Sequence, residues 1–309
     1  MNTSTGYDVN RLLLPDNLME QRVANKFIID AAFYIIGKLR GAKIETELDR
    51  DAQLLFQMTV LKSISLLTLS EGLQYENQID KTSIHGIIDC FSMNSIVRSQ
   101  FEAFCNFNNI YIQPKNVNER TLKYDLWALS GLKHRQNFRT EEEENKRKKE
   151  DEKLQIESII KSIENNPCFS QLNEDSKIEI RKKGIKDKDW KLKIIQDRAF
   201  FIAWHDLMKN ANITDTVDGI YRHLSLTTHP SNVSVFQFNN LYNSGEYIKT
   251  CLMSLQISNY FISFLITDYC HYSSEAKKIF HELPYICKYL INSLNCMFRG
   301  NDFVIYPAN

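Results

Sequence analysis

Apolar residues recur at three- and four-residue intervals along most of this chain, and this spacing constrains the fold more than any other feature. It is the period of one face of an α-helix, whereas a strand would show alternation. Glycine and proline, which interrupt helices, number only 10 and 6 in 309 residues. The pattern predicts an all-α protein, an enlarged antiparallel helical bundle that forms a single domain over residues 1–309.

The boundaries of the main helices can be predicted from the same pattern and from proline positions. In chain order, we expect helices over residues 15–40, 45–73, 83–112, 118–137, 197–210, 215–228, 246–272 and 274–298. In the second of these, the residues expected on the buried side are Leu54, Leu55, Met58, Leu61, Ile64 and Leu67. Asp215 is a suitable N-cap for the helix that begins there, and Pro230 stops that helix.

A charged segment interrupts the apolar pattern in the middle of the chain. Residues 141–153 contain no apolar side chain, and the glutamates at 142–144 each precede a basic residue by four positions. This order favours ion pairs along a helix surrounded by water. Residues 181–198 are locally basic and include Trp190. We therefore predict a charged and basic insertion over residues 140–196, whose exposed helix could bind a protein partner.

Composition excludes several broad classes. The 38 basic and 38 acidic residues give zero net charge, so no overall field draws the chain to nucleic acid or membranes. The seven cysteines are scattered without a C-x-x-C pair, which argues against a disulfide framework and a zinc site. No signal peptide is recognisable, and the apolar stretch 247–269 carries too many polar groups for a membrane span. We expect a cytoplasmic protein with no membrane contact, no metal and no cofactor.

The segment Tyr221–Pro230, with the sequence YRHLSLTTHP, carries the most chemical information. Residues seven apart lie on nearly the same face of a helix, so Arg222 and His229 project together, with Ser225 between them. An arginine can hold a phosphate through its planar fork, and a histidine can move a proton at neutral pH. These two side chains would suffice to cleave RNA without metal.

The segment resembles the signature of the HEPN superfamily, which is an arginine followed after four to six residues by a histidine. Arg222-His223-x5-His229 fits the long end of that spacing. More narrowly, the pattern Tyr-Arg-x-x-Ser-x-x-x-His-Pro looks like that of a large uncharacterised bacterial helical family. That family also carries an arginine and a glutamate one turn apart, matched here by Arg98 and Glu102.

The resemblance implies a metal-independent endoribonuclease of a bacterial defence or toxin system that acts on RNA as a homodimer. Arg222 and His229 would be catalytic. The supporting residues would be Tyr221, Ser225, Arg98 and Glu102.

Three other interpretations remain open at this stage. In the first, Arg222 pairs with Glu102 and His229 caps its helix, so the motif is structural. In the second, the His205-Asp206 dipeptide belongs to an HD-type metal phosphohydrolase site, completed by His134 and Asp268. In the third, the protein is a non-catalytic scaffold or regulatory subunit that uses the charged helix for binding.

Overall fold

The structure is a computed structural model that describes residues 9–213, 218–228 and 231–306. It is 72% helical, with 13 helices and two small strand pairs in the described part of the chain, which confirms the predicted all-α class. The chain divides into two compact units. Unit 1 comprises Met1–Phe107 and Asn212–Asn309, and unit 2 comprises Asn108–Ala211. The predicted insertion, residues 140–196, falls inside unit 2.

Unit 1 is built around one long helix, α11, of which 16 of 26 residues are buried. Helices α1, α2, α3, α12 and α13 pack against α11 or against one another, and α9 packs on α3. The described elements are α1 (Leu18–Lys38), α2 (Glu47–Leu69), β1 (Leu73–Glu76), β2 (Ser83–Ile87), α3 (Cys90–Phe107), α9 (Asp218–Thr228), α10 (Asn232–Ser244), α11 (Tyr247–Tyr272), α12 (Ser274–Glu282) and α13 (Tyr285–Arg299).

Unit 2 has its own apolar core. Helices α4 and α5 pack against each other, and the strand pair β3–β4 and the short helices close the core. Its elements are a π-helical turn (Asn108–Ile112), α4 (Val117–Arg135), α5 (Glu143–Asn165), α6 (Pro167–Gln171), α7 (Glu174–Glu179), a second π-helical turn (Ile180–Lys186), β3 (Leu192–Ile195), β4 (Arg198–Phe201) and α8 (Trp204–Asn210). The core side chains are Leu122, Leu126, Leu129, Ile163, Phe169, Leu172, Ile180, Leu192 and Ala199.

Side-chain caps fix where several of these helices begin. Asn17, Thr46 and Asn116 each accept a hydrogen bond from the backbone N–H three residues later, at the start of α1, α2 and α4. Such a cap satisfies one of the free N–H groups at a helix start. The predicted cap at Asp215 lies outside the described residues.

Both strand pairs replace predicted helix. The expected second helix ends at Leu69 rather than residue 73, and the expected third begins at Cys90 rather than residue 83, because β1 and β2 form a hairpin between them. Gly72 has a φ of +93°, which a helix cannot accommodate. The predicted helix 197–210 is likewise wrong over its first part, because β3 and β4 pair across a turn at Gln196, whose φ is +57°. Helix α10 was not predicted at all.

The predicted buried side of α2 is right for Leu55, which is 6% exposed, but wrong for three other members of the set. Leu54, Met58 and Leu61 are 51%, 46% and 62% exposed. The buried side instead includes small and polar residues such as Thr59 and Ser63, each of which donates its hydroxyl to the carbonyl four residues earlier. These internal bonds allow hydroxyls to lie in an apolar interior without an unsatisfied donor.

Helices α2 and α11 are long and apolar enough to cross a membrane when length and composition alone are considered. Within unit 1, however, 72% of the apolar window of α11 is buried against protein, and 39% of that of α2. Helix α11 therefore occupies the position of a core helix, as its polar residues suggested.

Candidate active site on helix α9

Helix α9 presents two different sides to its surroundings. Leu224 is fully buried and Thr227 is 8% exposed, so this side packs into unit 1. The Tyr221 ring lies 5.1 Å from the Phe101 ring of α3, measured between centroids. Arg222 and Leu226 lie on the exposed side. Successive residues of a helix point about 100° apart. Tyr221 therefore turns towards α3, and Arg222, the next residue, turns towards water.

Arg98 connects α3 to α9. Its Nε lies 3.1 Å from Oε1 of Glu102, one turn further along α3. A second guanidinium nitrogen donates a hydrogen bond to the Tyr221 hydroxyl at 3.3 Å. The Arg98 and Glu102 side chains are 19% and 33% exposed, so water screens this pair only in part. The three side chains fix α9 on α3, and thereby set the direction in which the rest of α9 points.

Arg222 is exposed, and it makes no hydrogen bond or ion pair with the described side chains of residues 9–213, 219–228 and 231–306. Glu102, the partner considered for it from the sequence, is bound to Arg98 instead. The Ser225 hydroxyl donates to the Tyr221 carbonyl at 2.7 Å. In this conformation Ser225 serves the helix backbone and its proton is not available to a substrate.

The remaining motif positions are His223, His229 and Pro230. Nε2 of His223 is buried and has no hydrogen-bond partner among the described residues, and this burial lowers the pKa of the imidazole. No pattern in the sequence indicates a buried polar atom at this position. His229 and Pro230 lie outside the described residues, directly after the last described residue of α9.

An apolar groove of about 310 Å³ adjoins the end of α9. It is bordered by residues on both sides of His229-Pro230 in the chain: Thr227 and Thr228 precede this pair, and Ser234 follows it. The Phe91 and Phe238 rings line the groove and contact each other edge to face, with ring centroids 5.5 Å apart and planes inclined at 60°. A groove of this volume with aromatic walls can hold a flat ring such as a nucleobase.

The metal-site residues considered from the sequence are not assembled. His205 and Asp206 are exposed neighbours on α8, and Asp268 is fully buried against Arg299. Across residues 9–213, 218–228 and 231–306, no group of three or more histidine, cysteine, aspartate or glutamate side chains could hold a metal ion. The HD-type interpretation therefore has no support from these positions.

A family model matches residues 56–247 of the chain, which is more than half of it. The chain belongs to the DUF5677 family. This is described as a family of unknown function. The DUF5677 region runs from α2 to the first residue of α11, and so includes Arg98, Glu102, all of unit 2 and the whole Tyr221–Pro230 segment. No curated protein and no solved structure matches the chain.

Proposed function

We propose that this DUF5677 protein is a HEPN-like, metal-independent endoribonuclease of a bacterial defence or toxin system, with Arg222 and His229 as catalytic residues. The observation that supports this most directly is the exposed position of Arg222 on α9, directly after Tyr221, whose hydroxyl is held by Arg98. Arg98, by contrast, is held by Glu102 and Tyr221 and serves to fix α9 on α3.

The proposed reaction requires only one proton acceptor and one cation. The His229 imidazole takes the proton of a ribose 2′-hydroxyl, and the 2′-oxygen forms a bond to the adjacent phosphorus. The bond from phosphorus to the 5′-oxygen of the next nucleotide breaks, that oxygen takes up a proton from water, and the proton on His229 returns to the solvent. The products are a 2′,3′-cyclic phosphate and a free 5′-hydroxyl. Arg222 stabilises the negative charge that grows on the phosphate oxygens.

The other residues of the motif hold this arrangement in place. Arg98, Glu102 and Tyr221 anchor α9 on α3, and Ser225 stabilises the helix backbone one turn after Tyr221. The groove lined by Phe91 and Phe238 holds a base of the RNA beside the cleaved bond. Phe238→Ala should therefore raise KM for RNA more than it lowers kcat.

In this proposal the enzyme is a homodimer, and a second copy packs on α10. Of the 13 residues of this helix only Ser234 is buried, and Val233 and Phe236 are 50% and 63% exposed on a side away from the groove. Apolar side chains exposed together mark a contact surface. Phe236→Asp should convert a dimer to a monomer in light scattering. Phe33→Asp, at a phenylalanine of α1 that is 60% exposed, serves as the matched control.

Cleavage of a mixed RNA pool in the presence of a chelator tests the activity itself. Arg222→Ala and His229→Ala should each lower the rate by about 100-fold or more. Arg40→Ala and His85→Ala, which change exposed residues of the same types elsewhere in unit 1, should cleave normally. Wild-type protein that leaves RNA intact, or cleavage that both active-site variants retain, would refute the proposal.

The rival function is a regulatory subunit that binds a protein through α5. The first half of this helix is exposed, and its charges pair with one another, as between Lys146 and Glu143 or Lys148 and Glu144. A triple variant with glutamine at Lys146, Arg147 and Lys148 removes the positive charge and leaves the buried Glu152 in place. If this variant loses a defined partner while wild-type protein cleaves no RNA, the regulatory function is the correct one.

A further inference from the structure

A second cavity lies in unit 1, along α13 and separate from α9. It has a volume of about 550 Å³, within the range typical of sites for small molecules. Its walls include His281, Tyr285, Lys288, Tyr289 and Ser293. We call it the α13 cleft.

Two tyrosines form an aromatic wall of the α13 cleft. The Tyr285 and Tyr289 rings, one helical turn apart, are stacked with centroids 6.0 Å apart and planes inclined at 29°. The Tyr289 hydroxyl is held by Oδ1 of Asn10 at 2.8 Å, which fixes its ring. Tyr285 is 66% exposed and remains open to solvent. The Tyr285 ring therefore offers an open face to a flat aromatic ligand, and the fixed Tyr289 ring supports it from behind.

The polar groups of the cleft favour an anion. Nζ of Lys288 donates to the His281 carbonyl at 2.9 Å, which holds the ammonium at the cleft and leaves two of its three N–H groups for a ligand. Neither the Ser293 hydroxyl nor the His281 ring has a hydrogen-bond partner within the part of the chain that the structure describes. Among the described residues that line the cleft, none carries a carboxylate.

The nearest acidic residue in the sequence is engaged elsewhere. Glu282 lies 3.8 Å from Nζ of Lys38 and accepts a hydrogen bond from the Tyr34 hydroxyl at 3.1 Å, both on α1. The other side of the cleft is also fixed, because the Asn292 amide donates to the Ile305 carbonyl and accepts from the Ile305 N–H, both at 3.0 Å. The cleft is therefore formed before any ligand enters, which limits the entropy lost on binding.

We propose that the α13 cleft binds a nucleoside phosphate, with the base stacked on the open face of Tyr285, which Tyr289 supports from behind, and the phosphate at Lys288. The ligand is either a free nucleotide or the terminal nucleotide of an RNA, since both present the same base and phosphate. This site is distinct from Arg222 and His229, and it does not depend on the proposed nuclease activity.

Calorimetric titration of the full-length protein with adenosine monophosphate tests the proposal. Tyr285→Ala should weaken binding about ten-fold, since it removes one stacking face. Lys288→Ala should weaken binding of the monophosphate but not of adenosine, because only the former carries the charge. Tyr306→Ala and Lys278→Ala, at an exposed tyrosine and an exposed lysine outside the cleft, should bind as the wild type does.

Two further titrations distinguish a free nucleotide from the end of an RNA. They use a 5′-phosphorylated oligoadenylate and the same oligomer without the phosphate. Tighter binding of the phosphorylated oligomer identifies an RNA end, and tighter binding of the mononucleotide identifies a free nucleotide. The proposal is overturned if neither probe binds saturably, if the two cleft variants bind as the wild type does, or if the two control variants lose binding equally. Circular dichroism of each variant verifies that its helices are intact.

Discussion

The ion pair between Asp268 of α11 and Arg299 of α13 allows a prediction of stability that the structure makes quantitative. The two side chains meet at 2.8 Å, and each is 0% exposed. Asp268→Asn keeps the shape of the side chain but leaves the guanidinium charge of Arg299 without its counter-ion in the core. Breaking a buried pair from one side costs about 3–5 kcal/mol of unfolding free energy, because the remaining charge is left in a medium that solvates it poorly.

The other contacts of Arg299 place this loss near the lower end of the range. Its Nη1 donates to Oδ1 of Asn295 at 3.3 Å and to the Phe264 carbonyl at 3.4 Å. The Phe303 ring centroid lies 3.8 Å from the guanidinium carbon, and such a cation–π contact contributes about 0.5–2 kcal/mol. We expect a loss of about 3 kcal/mol for Asp268→Asn. Arg299→Met, which also removes these contacts and leaves a carboxylate in the core, should lose about 5 kcal/mol.

Urea denaturation followed by two signals measures the effect. All three tryptophans, Trp127, Trp190 and Trp204, belong to unit 2, so their fluorescence reports on that unit, whereas far-UV circular dichroism reports on the helices of both. Asp268→Asn should lower the urea concentration at the midpoint of the circular dichroism transition. Tryptophan fluorescence shows whether unit 2 unfolds at a lower urea concentration as well. The Asp268→Asn/Arg299→Met double variant should be more stable than the sum of the single losses implies. The reasoning fails if Asp268→Asn unfolds at the wild-type urea concentration or if the two losses simply add.

Three further outcomes follow from other sites. Burial lowers the pKa of His223 below its ordinary value of 6.5, so on acidification the unfolded state binds a proton before the folded state does. The unfolding free energy should therefore fall as the pH drops from above 6.5 through the pKa of the folded state. In the His223→Gln variant, the unfolding free energy should depend less on pH over that window. Glu119→Gln leaves Lys123 buried without its carboxylate, 3.3 Å away in the wild type, and should cost about 3 kcal/mol in urea titrations followed by tryptophan fluorescence. Gly72→Ala, at a φ of +93° and with its Cβ 2.7 Å from the facing strand, should lower thermal stability by about 1–3 kcal/mol, whereas Gly131→Ala, where a Cβ meets nothing within 4 Å, should not.

The sequence predicted the helices well where apolar periodicity was strong, and failed where a tertiary contact decided the structure. The outward Leu54 of α2 belongs to an apolar stripe as regular as a core stripe, so periodicity could not reveal that the hydroxyl-bearing side faces inward. The β1–β2 hairpin depends on Gly72 and on pairing between residues that a helical pattern treats as unrelated. Similarly, the hydrogen bond from Arg98 to Tyr221 joins residues 123 positions apart, and no local spacing encodes it. At the site, the sequence could indicate the residue types. It could not indicate that Arg98 is held by other side chains while Arg222 is exposed.

The proposed mechanism depends on this difference between Arg98 and Arg222. An exposed arginine costs little to solvate, so exposure alone does not indicate function. Arg222, however, follows Tyr221 directly, and Tyr221 is fixed by the guanidinium of Arg98, which Glu102 holds in turn. The side chain of Arg222 is thus exposed while its backbone is anchored. A cation that must meet a developing phosphate charge benefits from both properties, because its guanidinium is accessible to the phosphate and the helix does not have to move. In the proposed enzyme, the structural role of Arg98 and the catalytic role of Arg222 are parts of one arrangement and not competing interpretations.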